Sequence, residues 1–399
     1  MNMALMPVED ALSRILAGTK LSPAQYVKLD QSAGRVLAAD IIAKRDQPPF
    51  HASAMDGYAL RHADLATPLK LVGVSAAGHA YKGSLKAGQA VRILTGAPLP
   101  QNADTIVIQE NCSLDGNLLT IISPPDLGRN IRPTGLDFRA GDVLIPAGTI
   151  LNARDIGLAA AGNAAMLRVR KKPRLVLFAT GDELVLPGTR PRADQIVSSN
   201  SHALSAMARL WGADVINLGI VADTMKATKA AIRKAFDADI LITTGGASVG
   251  DHDYVKDAFT SCGIKIDFWK IALRPGKPML FGTRGTLKVL GLPGNPVSAL
   301  VCARIFLKPL IDLMLGVTSD AVPAFARLAA LLPANDGRQD YIRAKLTNGP
   351  DGTRTVEVSG KQDSSLQRNL RNADCLIVRE PHAPEAMAGS LVPVILLDF

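Results

Sequence analysis

The run Ile-Leu-Ile-Thr-Thr-Gly-Gly-Ala-Ser-Val-Gly at positions 240–250 reveals most about the fold. A short apolar stretch typical of a buried strand leads directly into glycines, and a predicted helix follows. In open α/β sheets, ligands bind beyond the carboxyl ends of the strands, where glycines let backbone N–H groups approach a phosphate. The run therefore predicts a phosphate-binding loop. A purely structural turn is the alternative, because neither the dinucleotide-binding nor the P-loop spacing is met.

The sequence around this run alternates between strand-like and helical periodicity. Leu175 to Ala179 and Val215 to Ile220 are strand-like, whereas His202 to Leu210 and Met225 to Phe236 have a helical period. This alternation predicts a parallel sheet with helices on both faces. We expect a central doubly wound, mostly parallel α/β domain over residues 171–318.

Turn residues and short strands mark the flanking segments as β-rich. The predicted organisation is a multidomain α/β plus β protein. Its expected parts are an N-terminal helix in 1–26, a connector domain from 27–50 and 147–170, a β-rich domain over 51–146, and a C-terminal β-domain over 319–399.

Composition excludes several classes of protein. Lys and Arg number 45 against 36 Asp and Glu, but the cations are spread out and aromatics make up only 4%, so no nucleic-acid surface is expected. No long uncharged apolar stretch and no signal peptide is present, which predicts no membrane segment and no export. The four cysteines lie among apolar neighbours without metal-ligand spacing, which favours a reducing, cytoplasmic compartment.

Acidic residues follow several of the predicted strands. Thr180-Gly181-Asp182-Glu183 comes after the first strand of the α/β domain, Asp223 after another, and Asp253 after the glycine run. Carboxylate oxygens at one sheet edge suit Mg²⁺ or another divalent cation. For Asp182, capping of a helix is an equally acceptable interpretation.

Two further turns suit anions. Arg274-Pro275-Gly276-Lys277 places two cations on a stiff turn, although basic Pro-Gly turns are often simple solvent loops. In Leu292 to Ser298, Asn295 is a predicted N-cap and Pro296 the first helical residue. In the β-rich segment Asp56, Thr95 and Arg132 lie next to a glycine or a proline, and Asp137 follows two residues after Gly135. An ordinary turn is the alternative at each of these positions.

Taken together and in this order, the motifs resemble those of the molybdopterin molybdenumtransferases, a family whose eukaryotic relatives include the E-domains of gephyrin and of the plant molybdenum-insertion protein. The motifs are Met-Asp-Gly-Tyr-Ala, Thr-Gly-Ala, Thr-Gly-Asp-Glu-Leu, the glycine run with its trailing Asp-Tyr, Pro-Gly-Lys-Pro and Leu-Pro-Gly-Asn-Pro-Val-Ser. The similarity extends from about residue 7 to the C-terminus. It implies an elongated four-domain homodimer that takes molybdate and adenylylated molybdopterin, releases AMP in a divalent-cation-dependent step, and receives its substrate from a molybdopterin adenylyltransferase.

The resemblance also implies roles for individual residues. Those matching catalytic positions are Asp56, Thr95, Asp137, Glu183, Asp223 and Asp253, of which Glu183, Asp223 and Asp253 would hold the metal. The expected substrate-binding residues are Arg132, Thr180, Gly181, Asp182, Gly245, Gly246, Ser248, Gly250, Pro293, Asn295, Pro296 and Ser298. The expected molybdate-binding residues are Arg274, Lys277, Arg343, Ser364 and Ser365.

Departures and alternatives remain. Leu136 stands where many relatives have Glu, Arg274 where many have Lys, Ser198-Ser199 where Asp-Ser is common, and Asp374 where Asn is frequent. Arg in place of Lys keeps the charge but changes the donor geometry. The α/β domain alone is also similar to molybdopterin adenylyltransferases and to pyrophosphatase-like proteins, so a nucleotide-pyrophosphate hydrolase is one competing function. A non-catalytic scaffold is the other.

Overall fold

A computed structural model describes residues 5–245, 254–318 and 324–399. Contacts divide the chain into two compact units. One is Tyr26–Val169, and the other combines the residues up to Gln25 with Arg170–Phe399.

The unit Tyr26–Val169 is built around a six-stranded, mostly antiparallel sheet. In spatial order its strands are Thr105–Ile108, Gly57–Leu60, Gln89–Ile93, Leu69–Ser75, Leu118–Ile121 and Cys112–Asp115. Leu69–Ser75 and Gln89–Ile93 pair in parallel. Alternation along Gly57–Leu60 buries Tyr58 and Leu60 in one apolar cluster and Ala59 in another, so both faces of the sheet are covered.

Shorter elements complete this unit. Ala52–Ser53 pairs with Ile131–Arg132, and Ile41–Ile42 with Val143–Ile145. The helix Ala153–Ala161 begins at a capping box, in which the Asn152 side chain accepts from the Asp155 backbone and the Asp155 side chain accepts from the Asn152 backbone. The strands Ala24–Lys28 and Met166–Arg170 lie at the two ends of the unit and continue slightly beyond its limits. Short 3₁₀ turns lie at Leu29–Gln31, His62–Asp64 and Gln109–Asn111.

The second unit contains a six-stranded mixed sheet. Its strand order is Asp214–Val221, Arg174–Thr180, Ile240–Thr244, Leu287–Leu292, Leu280–Arg284 and Lys265–Trp269. The first four strands are parallel, and the last two add in antiparallel pairing. Four of the six strands are therefore paired in parallel, which agrees with the expectation of a mostly parallel sheet. The hairpin Leu280–Leu292 and the edge strand were not anticipated.

Helices flank this sheet. Their bounds are Asn200–Leu210, Met225–Arg233, Tyr254–Ser261, Pro296–Cys302 and Lys308–Leu315, with one turn of π-helix at Ala303–Leu307. Val176 and Phe178 pack with residues of the helices Met225–Arg233 and Tyr254–Ser261. The alternate strand residues Leu175 and Leu177 are buried as well. Lys308 and Asp312 form an ion pair at 2.7 Å within the last helix, and Arg304 pairs with Asp398 at 2.9 Å.

The N-terminal helix Val8–Leu16 also belongs to this unit. It buries Val8, Ala11 and Ile15, a helical period, and Gly18 follows its end with φ +67°. The Lys288 ammonium donates to the Ala17 carbonyl at 2.5 Å, which places a cation at the negative end of the helix.

The C-terminal sheet closes on itself. The strands Gln339–Asn348, Arg354–Val358, Ala324–Leu328, Leu391–Leu396 and Cys375–Arg379 pair in this order, and the last returns to pair with the first. Leu273–Arg274 joins in parallel beside Gln339 and Asp340. A strand from the predicted α/β segment is therefore part of the C-terminal sheet. The short helix Gln367–Arg371 and the two-residue strands Leu184–Val185 and Ile196–Val197 complete the unit.

Within the described ranges, no helix is long and apolar enough to cross a membrane.

Candidate functional site

A cavity of about 390 Å³ lies at the carboxyl ends of the parallel strands. Strand-end residues Thr180, Thr244 and Gly245 line it, together with the loop before the helix Pro296–Cys302. It is therefore at the edge where open α/β sheets bind ligands. Its full lining is Ala179, Thr180, Glu183, Leu184, Ile196, Val197, Ser198, Ser199, Asn200, Thr244, Gly245, Gly294, Asn295, Pro296 and Ser365.

Gly245 follows the strand Ile240–Thr244 and packs against the end of the strand Arg174–Thr180. It has φ +88°, and a Cβ there would lie 2.2 Å from the Thr180 carbonyl oxygen. A side chain at this position would force the backbone of the strand Arg174–Thr180 aside, so only glycine fits. The remaining predicted loop residues Gly246, Ser248 and Gly250, and the acid Asp253, lie outside the described residues.

Asn200 connects the walls of the cavity. Its Nδ2 donates to Thr244 Oγ1 at 3.0 Å and to the Gly294 carbonyl at 2.7 Å. Sequence reasoning missed this residue because it began the helix at His202, whereas the helix begins at Asn200. Ser-Ser-Asn at 198–200 is a helix-start signal that could have identified it.

Three acidic side chains gather beside the cavity. Burial, followed by the charges of Asp182 and Glu183, raises the pKa of Asp223. The Asp223 backbone N–H donates to Asp182 Oδ1 at 3.4 Å. The capping interpretation of Asp182 is wrong, because the two-residue strand Leu184–Val185 follows it instead of a helix. Within the described part of the chain, no group of three His, Cys, Asp or Glu residues is arranged to hold a metal.

The helix start at Asn295 is as predicted, but its side chain has another partner. Pro296 is the first helical residue, whereas Asn295 Nδ2 donates to Ser364 Oγ at 2.8 Å and makes no cap bond. The Val297 N–H donates to the Ser364 carbonyl at 3.0 Å. Pro293 accepts from Thr244 Oγ1 at 3.2 Å, and Ser298 is buried. The segment at Ser364 and Ser365 thus forms part of the cavity wall.

The two cations of the turn Arg274-Pro275-Gly276-Lys277 have different surroundings. The Arg274 guanidinium donates to both carboxylate oxygens of Asp340, and also to Asp336 at 3.1 Å and Asn335 at 3.0 Å. Four of the five N–H groups of a guanidinium are thereby used. Lys277 is exposed and makes no ion pair within the described ranges. The turn itself is fixed at Gly276, where a Cβ would lie 2.5 Å from Cys302 Sγ.

Arg343 is almost entirely buried, with 1% exposure. Its guanidinium donates to Gln362 Oε1 at 3.1 Å and to the Asp363 carbonyl at 2.7 Å. The Ser365 hydroxyl in turn donates to Asp363 Oδ1 at 2.6 Å. In this arrangement Arg343 holds the loop that carries Ser364 and Ser365.

The unit Tyr26–Val169 brings four predicted residues to one region. The Thr95 N–H and hydroxyl donate to Asp56 Oδ1 at 2.7 and 2.8 Å. These two hydrogen bonds, the backbone one first, and the charge of Arg92 lower the pKa of Asp56. A second cavity is lined by Gly96, which follows Thr95, together with Arg132 and Asp137.

Comparison with known proteins agrees with this architecture. Family models match three consecutive segments: the MoeA N-terminal region (domain I and II) over residues 6–162, a probable molybdopterin binding domain over 176–312, and the MoeA C-terminal region (domain IV) over 326–397. A molybdopterin molybdenumtransferase of Nostoc sp. is 38% identical over 89% of this chain and 84% of its own. One of Haemophilus influenzae is 34% identical over 98% of both chains.

A solved structure is also similar. The molybdopterin biosynthesis MoeA protein of Pyrococcus horikoshii superposes with a TM-score of 0.85 and 28% identity, over 98% of this chain and 99% of that one. The fold defines an α/β protein with a cavity at the strand ends and β-rich modules on either side in sequence. The chain belongs to the molybdopterin molybdenumtransferase family, whose members act in molybdenum-cofactor biosynthesis.

Proposed function

We propose that this chain inserts molybdenum into adenylylated molybdopterin, with molybdate as the second substrate, and releases AMP to give molybdenum cofactor. The observation that supports this most directly is the cavity lined by Thr180, Glu183, Gly245 and Asn295 in a chain that matches molybdenumtransferases along its length. The adenylylated substrate would contact Thr180, Gly181, Asp182, Gly245, Pro293, Asn295, Pro296 and Ser298, with Gly246, Ser248 and Gly250 completing the loop.

We propose that the acids at the strand ends hold Mg²⁺ or another divalent cation. Glu183 and Asp223 would be two of the oxygen ligands that such an ion needs. Burial, and then the charges of Asp182 and Glu183, disfavour the ionised form of Asp223, and a cation would offset that cost. Glu183 and Asp223 would be ligands, together with Asp253. Bound there, the cation would stabilise negative charge on the phosphate groups.

Lys277 is the proposed cation for molybdate. Because Arg274 and Arg343 already donate to protein acceptors, we propose that they position the neighbouring segments. Ser364, whose hydroxyl accepts from Asn295, would supply a hydroxyl donor, and Ser365 would supply one by turning its hydroxyl away from Asp363. A tetrahedral dianion needs several directed donors to replace its hydration.

Asp56, Thr95, Arg132 and Asp137 would serve the same reaction. We propose that the active enzyme is a homodimer in which a second subunit completes the site, a common arrangement for symmetric oligomers. A scattering-derived mass at micromolar concentration would test this, and a monomer would contradict it. We propose that the chain works in the cytoplasm and that a molybdopterin adenylyltransferase supplies its adenylylated substrate. The domain limits at residues 27, 51, 147, 171 and 319 remain predictions.

An AMP-release assay tests the proposed activity. The purified chain would receive adenylylated molybdopterin, with and without molybdate and with and without Mg²⁺. We expect AMP release coupled to cofactor formation, and both should require molybdate and the cation. Release that ignores molybdate would indicate a nucleotide-pyrophosphate hydrolase, and no release under any condition would indicate a scaffold.

A further inference from the structure

One end of the six-stranded sheet in the unit Tyr26–Val169 collects polar side chains. The strand Gly57–Leu60 begins at this end, and its two antiparallel neighbours finish there. Asp56, Thr95 and Gln109 lie just outside these three strands. The Gln109 N–H donates to the Asp56 carbonyl at 3.2 Å, so the segments beyond the strands are joined to each other.

Arg92 lies near this end of the sheet with a fixed orientation. It is directly opposite Tyr58 on the neighbouring strand, and its guanidinium carbon lies 4.9 Å from the centre of the Tyr58 ring. Its Nη2 donates to Gln109 Oε1 at 2.5 Å. The Gln109 amide cannot turn round, because its Nε2 donates to Glu110 Oε1 at 3.2 Å and a guanidinium offers only donors. The ring and the amide therefore hold the guanidinium in place.

Most of the hydrogen-bonding capacity of Arg92 is unused. Only one of its five N–H groups donates to an acceptor among the described residues, and no carboxylate there forms an ion pair with it. Arg274 differs, because four of its N–H groups donate to side chains of the protein. A rigid guanidinium with unused donors suits a phosphate group, since its planar fork matches two phosphate oxygens.

The carboxylate of Asp56 limits which ligand can bind beside Arg92. Its Oδ1 accepts from the N–H and the hydroxyl of Thr95, whereas its Oδ2 has no donor within the described ranges. Asp56 is exposed, and the bonds from Thr95, followed by the charge of Arg92, lower its pKa. An ionised carboxylate repels a bare anion but accepts from a hydroxyl group. The ligand should therefore present a phosphate oxygen to Arg92 and a hydroxyl group to Asp56.

We propose that Arg92 and Asp56 together bind a phosphate ester that carries a hydroxyl group close to its phosphate. Arg92 donates to the phosphate oxygens, and Asp56 Oδ2 accepts from the hydroxyl. The inference rests on the proposed function, whose adenylylated substrate contains phosphate esters and hydroxyl groups. It adds Arg92 to the residues that contact this substrate.

The test compares two arginines of the same unit. Arg92→Gln removes the charge and the fork, whereas Arg92→Lys keeps the charge without the fork. The matched control is Arg61→Gln, which removes the same charge from an arginine that is already paired with Asp64 at 3.6 Å. The affinity of each full-length protein for ribose 5-phosphate would be measured by NMR titration. Inorganic sulfate, an oxyanion without a hydroxyl on carbon, is the second probe.

We expect Arg92→Gln to weaken binding of ribose 5-phosphate about tenfold and Arg92→Lys about threefold, with Arg61→Gln unchanged. Asp56→Asn should weaken binding of ribose 5-phosphate but not of sulfate, because only the sugar phosphate has a hydroxyl to give. Unchanged affinity in Arg92→Gln, or an equal loss in Arg61→Gln, would overturn the inference. Should Arg92→Gln fail to fold, Arg92→Lys decides by the same comparison.

The outcome is separable from that of the proposed function. If the wild type does not release AMP from adenylylated molybdopterin yet Arg92→Gln loses ribose 5-phosphate binding, the phosphate-ester site stands and the proposed reaction does not. If AMP release at limiting substrate is equally fast in the wild type and in Arg92→Gln, the reaction stands and Arg92 does not contact its substrate.

Discussion

Arg274 and Asp340 lie opposite each other on two paired parallel strands, and the guanidinium donates to both oxygens of the carboxylate. Asp340 is almost fully buried, and Asp336 adds a second carboxylate whose pKa is lowered to about 2, chiefly by hydrogen bonds from Arg338. The charge of Arg274 is thus balanced by neighbouring acids, which leaves Lys277 as the more effective attractor for an oxyanion on this turn.

Lys277→Ala should therefore weaken use of molybdate. Loss of one charged hydrogen bond, about 1.5–3 kcal/mol, predicts a fall of about tenfold or more in the rate at limiting molybdate. High molybdate should partly restore the rate, and substrate binding without molybdate should change little. If the variant instead loses adenylylated-pterin binding and keeps its molybdate dependence, the turn holds a phosphate.

Replacing Arg274 and Asp340 together should be tolerated. Substituting a paired charge by apolar side chains of similar size is often close to neutral, whereas removing one partner leaves the other uncompensated. We expect Arg274→Met with Asp340→Leu to keep molybdate affinity within about threefold, and Arg274→Met alone to lower the melting temperature. An affinity loss in the double variant as large as that of Lys277→Ala would establish Arg274 as a direct ligand.

Asp223→Asn should separate stability from activity. Because folding raises the pKa of Asp223, its ionised form is disfavoured in the folded state. The wild type should therefore lose stability relative to the variant as the pH rises above about 3.9, the pKa of an aspartate in the unfolded chain. At pH 7 the variant should melt at the same temperature or up to about 2 °C higher. Cation-dependent turnover should fall tenfold or more. Equal losses in stability and turnover would indicate a structural role.

Thr95→Val should shift the pH profile in a known direction. The Thr95 N–H and then its hydroxyl lower the pKa of Asp56, and valine removes only the hydroxyl bond. The acid limb of the pH–rate profile should therefore move to higher pH, while the rate at pH 8 falls by less than about tenfold. Thr95→Ser, which keeps the hydroxyl, is the control. Identical acid limbs in all three proteins would mean that Asp56 ionisation does not limit the rate.

Features set by neighbouring residues could be predicted from the sequence. The strand before Gly245, the turn at Gly18 and the helix start at Asn295-Pro296 follow from propensities and backbone conformations that act within a few positions. The strand-end location of Thr180 and Glu183 followed for the same reason. The ordered motifs along the chain were enough to predict the family.

Features that depend on distant partners were decided only by the tertiary structure. No local pattern indicates that Asp340 neutralises Arg274 across 66 positions, that Arg343 is buried under the loop of Ser365, or that Leu280–Leu292 folds back as an antiparallel hairpin. Asn200 shows the reason most clearly. Its sequence position predicts only a helix start, but Thr244 and Gly294, 44 and 94 positions away, fix the amide and leave Oδ1 without a hydrogen-bond donor among the described residues. A side chain's free hydrogen-bonding capacity depends on every group packed around it, so it is determined by the fold and not by the neighbouring sequence.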